Sequence, residues 1–206
     1  MAEKLDDVLQ DANVLLSVTR KYATELAGFG VTAEELQAFV DAIETVNSLE
    51  TQQREIINTV SAKTAEQNLK LAEARTAIKK LQTAAKAFYV DDKAVLKEFK
   101  IGGRPPYSVA ITVPELRYLQ EVAARRTADL STRGYTAADA ENLLTLAAAI
   151  VQIDSEQENA KKLQTAATKG RNDAVKLLRK MKFRIRKSAE LCFSGEPGKL
   201  GEFKAL

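Results

Sequence analysis

Gly30-Val31-Thr32-Ala33-Glu34-Glu35-Leu36 and Gly134-Tyr135-Thr136-Ala137-Ala138-Asp139-Ala140 lie 104 residues apart and read as the same helix start. Read outward at that spacing, Leu96-Lys97-Glu98-Phe99-Lys100 meets Leu200-Gly201-Glu202-Phe203-Lys204. Leu15 meets Leu119, Val18 Val122, Leu26 Leu130, Gln53 Gln157, Asn68 Asn172 and Arg75 Arg179. Roughly fifteen identities over some ninety ungapped pairs, with matched motifs at both ends, point to a tandem duplication rather than a solenoid of short units. The expected organisation is two helical repeats, 1–104 and 105–206, with a linker over 90–111. The two are free to pack as one continuous bundle.

Breakers are sparse. Neither Gly nor Pro occurs from Val31 to Ile101, and Ala, Leu, Gln, Lys and Glu dominate, so long helices are expected. Leu5, Val8, Ala12, Leu15, Tyr22 and Leu26 form an amphipathic stripe that ends at Gly28-Phe29-Gly30, where glycine suits a left-handed cap. Thr32-x-x-Glu35 reads as a capping box and Thr136-x-x-Asp139 as its weaker echo. Thr112-x-x-Glu115 reads as the opening of the second repeat's first helix, with Pro114 in its first turn.

From Leu36 a heptad-like stripe runs through Phe39, Ile43, Val46, Ile57, Val60, Leu71, Ala74, Ile78, Leu81, Ala85 and Phe88, crossing polar Glu50, Gln53, Thr64 and Gln67. Two arrangements fit. One is a single helix of about 55 residues, roughly 80 Å long. The other breaks it at a corner near Ser61–Gln67 (Thr168–Asn172 in the second repeat), giving three helices per repeat. The start of each long segment is acidic and its end basic, which suits the helix dipole and lets the two segments pair antiparallel. The expected fold is an all-α, tandem-duplicated helical bundle with long, coiled-coil-like antiparallel helices in an elongated arrangement.

The chain has 206 residues, 31 Lys and Arg against 28 Asp and Glu, no His, and a single Cys. A formal charge of +3 does not mark the whole chain for nucleic acid. Met1–Asp7 has neither a basic n-region nor an apolar h-region, so no signal peptide is expected there. The apolar stretch around Leu143–Ile153 is too short for a bilayer span. A lone Cys192 forms no intrachain disulfide, and a cytoplasmic setting is the expectation.

Absence of His excludes His-based acid–base catalysis, Ser-His-Asp and Cys-His nucleophiles, and Glu-x-x-His di-iron ligation. Asp154, Glu156 and Glu158 are spaced by two and do not share a helix face, so no metal site is expected from them. Cys192 sits opposite Phe88 of the first repeat, a packing position rather than a reactive one. Gly195–Gly201 lacks the Gly-Lys-Ser/Thr ending of a phosphate loop. No catalytic residue, cofactor or small-molecule substrate is expected.

The basic run Lys176–Lys187 is the local feature able to carry function. Lys176, Arg179, Lys180, Arg184 and Lys187 line one side of a helix and Leu178, Met181 and Ile185 another, with Phe183 off the apolar stripe. That face reads either as an anion-binding surface, for nucleic acid or anionic membrane, or as a solvated face complementing the acidic half of a neighbouring helix.

The Gly-x-Thr-Ala helix starts, the Ala/Thr/Lys-rich long segment and the short acidic-to-aromatic tail resemble a group of small, uncharacterised bacterial helical-bundle proteins. Each repeat covers one such unit. The resemblance implies a helical fold and bacterial origin, and no activity comes with it. The expected function is a non-catalytic structural or protein-interaction bundle, partnered by another protein or by itself. The alternative is binding of nucleic acid or anionic membrane through 176–187.

Overall fold

The computed structural model describes residues 4–204, so Met1–Glu3 of the stretch read for a leader lie outside the described residues. Among these residues there are eight helices and no strand, and the fold is all-α. They are α1 (Leu5–Lys21), α2 (Ala23–Ala27), α3 (Ala33–Phe88), α4 (Lys93–Glu98), α5 (Val109–Arg125), α6 (Thr127–Ser131), α7 (Ala137–Cys192) and α8 (Pro197–Glu202). Each of the last four begins and ends 104 residues after its counterpart among the first four. No helix of the described residues is long and apolar enough to cross a membrane.

Both long segments are single helices of 56 residues, with no corner at Ser61–Gln67 or Thr168–Asn172. Gly170 lies inside α7 and costs about 1 kcal/mol of helix propensity without interrupting it. The first helix, by contrast, is broken where no breaker stands. Tyr22 leaves helical geometry at φ −113°, ψ 24°, and Arg126 does the same at φ −123°, ψ 22°. Hydroxyls of Thr19 and Thr127 donate back to the carbonyls of Leu15 and Ala123, competing with the helical ladder at these breaks.

The helix starts differ from their expected ranking. Thr136 and Asp139 make the complete reciprocal box: the Thr136 N–H donates to Asp139 Oδ2 at 3.0 Å and the Asp139 N–H to Thr136 Oγ1 at 3.3 Å. At Thr32 the Glu35 N–H donates to Oγ1 at 3.3 Å, while the Glu35 carboxylate takes an ion pair with Arg184. Before both boxes the chain reverses through a glycine with positive φ, Gly30 at 87° and Gly134 at 75°. The next N–H then reaches back to Leu26 O or Leu130 O. Helix α5 starts a turn earlier than expected, after Ser108. Thr112 is therefore no cap; its hydroxyl donates to the Ser108 carbonyl from inside the helix, and Pro114 lies beyond the first turn. That displacement takes the Glu115 side chain away from any capping role.

Packing divides the chain into two compact units, each taking helices from both halves of the sequence: Met1–Ile57 with Leu163–Leu206, and Asn58–Lys162. Residue 104, expected as the boundary between two repeats, lies inside the second of these units. The first unit buries Val8, Ala12 and Leu15 of α1, Phe39, Ile43 and Val46 of α3, Leu178, Met181 and Ile185 of α7, and Phe203 beyond α8. In the second unit Leu71, Ile78 and Leu81 of α3, Leu116, Leu119 and Val122 of α5, Leu143, Ala147 and Ile150 of α7, and Phe99 beyond α4 close the core. Truncating any of the fully buried leucines to Ala is expected to cost about 2–5 kcal/mol.

Within each unit α3 and α7 run antiparallel, because ascending positions on one meet descending positions on the other. Glu35 pairs with Arg184, and Gln53 donates to Thr168 Oγ1 at 2.8 Å, in the first unit. Lys80 pairs with Asp139, Gln67 with Asp154, and Gln157 donates to Thr64 Oγ1 at 2.8 Å, in the second. Gln53 and Gln157 are buried, and their amides are satisfied only in this register.

Candidate functional site

The basic run turns about 100° per residue, so its cations point to more than one place. Lys182 and Arg186 point inward. Lys182 Nζ meets Asp11 Oδ2 at 2.5 Å, and Arg186 Nη2 meets Asp11 Oδ1 at 2.6 Å while its Nε donates to the Phe203 carbonyl at 2.9 Å. Burial would raise the Asp11 carboxyl, but the hydrogen bonds from Lys182 and Arg186 more than offset it and hold it below its ordinary value. Of the five residues expected to bind anions, Arg184 pairs with Glu35, Lys187 with Glu190 at 2.5 Å, and Lys176 with Asp173 at 3.3 Å. Arg179 is exposed and engaged within the chain. Lys180 makes no ion pair among the described residues. The five share the outer side of α7, and most of their charge is already answered.

The same outer side carries exposed apolar residues, Phe183 off the apolar stripe among them. Leu177 is 54% exposed, Phe183 62% and Leu191 70%. With Lys180, Arg184 and Lys187 they fall within about a third of the helix circumference. The Lys187 ammonium lies 5.6 Å from the Phe183 ring centroid. Leu177, Met181 and Arg184 also line a groove of about 440 Å³ against Glu34, Glu35 and Ala38 of α3.

The second unit differs. Lys182 and Arg186 are replaced there, 104 residues earlier, by Ile78 and Gln82, and Asp11 by Glu115. Gln82 keeps one task of Arg186: its amide donates to the carbonyls of Phe99 and Lys100 at 3.1 and 3.2 Å, anchoring the tail of α4. It brings no charge, and among the described residues Glu115 makes neither an ion pair nor a hydrogen bond. Burial raises the Glu115 carboxyl above its ordinary value, and the charge of Lys100 offsets this only in part.

Glu115 opens into a cleft of about 430 Å³, ringed by Arg75, Lys79, Lys86, Lys100 and Arg104 and walled by Pro105 and Pro106. Arg75, Lys79 and Lys86 fall within about 40° of one another on α3. Lys100 and Arg104 arrive on the turn after α4, where Lys100 has φ 56° and Gly102 φ 88°. Lys100 is the non-glycine residue with positive φ among the described residues, a conformation costing about 1 kcal/mol or more. Its ammonium lies 5.2 Å from the Tyr118 ring centroid. None of the five cations ion-pairs with a carboxylate among the described residues. Sequence reasoning missed this cluster because two of its members are brought in by the turn; the Arg75, Lys79, Lys86 spacing was the available signal.

Other candidates resolve simply. Asp154, Glu156 and Glu158 are engaged by Gln67, Lys63 and Lys161, and no group of carboxylates or Cys able to hold a metal occurs among the described residues. The Cys192 thiol contacts the Glu25 carbonyl at 3.6 Å; burial and the carboxylates of Glu25 and Glu196 push it up, away from the reactive thiolate. Tyr135 stands where the first unit has Val31. Its buried hydroxyl has no hydrogen-bond partner among the described residues, and burial, with Asp139 nearby, raises its phenol. No family model, curated protein or solved structure matches the chain.

Proposed function

We propose that this protein is a non-catalytic helical interaction module that meets a protein partner, or a second copy of itself, through the outer face of α7 in the first unit. The observation that carries this reading is the exposure of Leu177, Phe183 and Leu191 on one face whose cations are largely neutralised within the chain. Exposed large apolar side chains lose free energy to water, and each gains about 1.5–3 kcal/mol when covered. The alternative, a phosphate-seeking face for nucleic acid or anionic membrane, needs cations without internal counter-ions. Lys180 meets that description here, while Arg184 and Lys187 do not.

The test is a pull-down and a sedimentation series on the full chain and on the triple variant Leu177→Asp, Phe183→Asp, Leu191→Asp. Partner capture or self-association should be lost in the variant while its helical circular dichroism is kept. Unchanged capture and unchanged sedimentation would remove this face from consideration. Salt-sensitive binding to DNA or anionic vesicles, abolished by Lys180→Glu with Lys187→Glu, would favour the alternative.

A further inference from the structure

The cleft of the second unit gathers five cations around one carboxylate, in a chain whose whole excess of positive charge is three. Asp11, Glu35, Asp139 and Glu190 each ion-pair with a cation near them. Around this cleft none of the five cations is ion-paired among the described residues, and like charges held around a common cleft repel one another in the absence of an anion. The turn that brings in Lys100 and Arg104 also holds backbone strain at Lys100. The Gly103 N–H donates to the Lys100 carbonyl at 3.2 Å, and Gln82 binds the same carbonyl from α3. That left-handed residue stands one position past the C-cap of α4, where the Ile101 N–H reaches back to Leu96 O, and this helix end sets the Lys100 charge on the cleft.

We propose that this cleft binds a small phosphorylated molecule, its phosphate among Arg75, Lys79, Lys86, Lys100 and Arg104 and a hydroxyl donating to Glu115. A phosphate suits the ring of cations because it carries close to two charges and offers several acceptor oxygens to guanidinium and ammonium donors. The carboxylate sets the second requirement. An ionised Glu115 repels an anion placed beside it and accepts a hydrogen bond from a hydroxyl, so it selects a phosphate ester of an alcohol over bare phosphate. A cleft of about 430 Å³ walled by a proline-containing turn suits a small molecule, whereas a nucleic-acid strand would need a continuous basic track. In the first unit the corresponding carboxylate, Asp11, is closed by Lys182 and Arg186.

The site is distinct from the α7 face and stands or falls separately from it. Titration calorimetry of the full chain with glycerol 3-phosphate and with inorganic phosphate, at low ionic strength, tests it. Glycerol 3-phosphate should bind saturably and about tenfold more tightly than inorganic phosphate, the value of one hydrogen bond to a charged group. Lys79→Glu with Arg104→Glu, both on exposed positions, should abolish binding of both probes. Lys180→Glu with Lys187→Glu, in the other unit, should leave both unchanged. Glu115→Gln should erase the preference by tightening inorganic phosphate and weakening the ester. Absence of saturable binding by either probe would overturn the proposal. So would equal losses in the two charge-reversal variants, or a single-stranded oligonucleotide that binds more tightly than the ester and displaces it.

Discussion

Asp11 and Glu115 occupy the same place on α1 and α5, and their surroundings could hardly differ more. Asp11 is buried between Lys182 and Arg186, each within 2.6 Å. Glu115 lines an open cleft with Gln82, and the positions that correspond to the two cations are Ile78 and Gln82. In one unit an acid and two bases complete a core. In the other, losing both bases leaves the acid raised in pKa and the surrounding cations unanswered. The triad and the charged cleft are separated by Lys182 against Ile78, Arg186 against Gln82 and Asp11 against Glu115, and by Lys79 and Lys86 standing where the first unit has Phe183 and Glu190. Charge excess alone does not reveal which is which: the run 176–187 is the denser in cations, yet most of those are engaged within the chain, while none of the five around the cleft is ion-paired among the described residues.

The largest effect should come from breaking the closed triad. Asp11→Asn leaves two cations next to a buried neutral amide, and removing one partner of a buried charge network typically costs about 3 kcal/mol. Urea denaturation followed by circular dichroism measures it. A loss below about 1 kcal/mol, the range of exposed pairs, would show that water already reaches this triad. In wild type the depressed Asp11 carboxyl contributes stability that is fully present above its ordinary value of 3.8 and is lost as pH falls through the lowered value.

A second contrast lies at Tyr135 and Val31, which follow the two helix-reversing glycines. Tyr135 buries a hydroxyl without a partner where Val31 buries only carbon. Tyr135→Phe should therefore stabilise the chain by about 1 kcal/mol, the desolvation cost of an unsatisfied hydroxyl. Thermal unfolding would register it as an upward shift. A downward shift would mean that the hydroxyl is satisfied in solution.

The parts of this structure that sequence made legible are those governed by periodicity. The long stripes from Leu36 and its counterpart specify helices, and the Gly30 and Gly134 reversals are placed by residues that tolerate positive φ. Less legible were features that depend on competition between neighbours. Ser108 and Thr112 are both residue types that cap helices, and α5 starts after the earlier of the two. The breaks at Tyr22 and Arg126 occur without glycine or proline to announce them. For the candidate sites, helical phase alone places Lys182 and Arg186 near the apolar arc of α7. Their inward role needed knowledge that Asp11 lies across from them, a contact between residues more than 170 positions apart.

Glu115→Gln gives the smallest effect on stability and the most direct test of the contrast. Burial raises the Glu115 carboxyl, so the folded chain holds that proton more tightly than the unfolded chain does. Its ionisation therefore opposes folding: the penalty is fully present above the raised value and disappears as pH falls below the ordinary 4.5. The Gln variant, which never ionises, should be more stable than wild type at pH 7 by up to about 1 kcal/mol, since Glu115 is only half-buried. The difference should shrink to nothing by about pH 4, in the same range where Asp11 begins to withdraw its support from the other unit. Equal stability of the two proteins across the whole range would mean that the cleft's cations already neutralise Glu115. The two acids would then differ in geometry but not in energy.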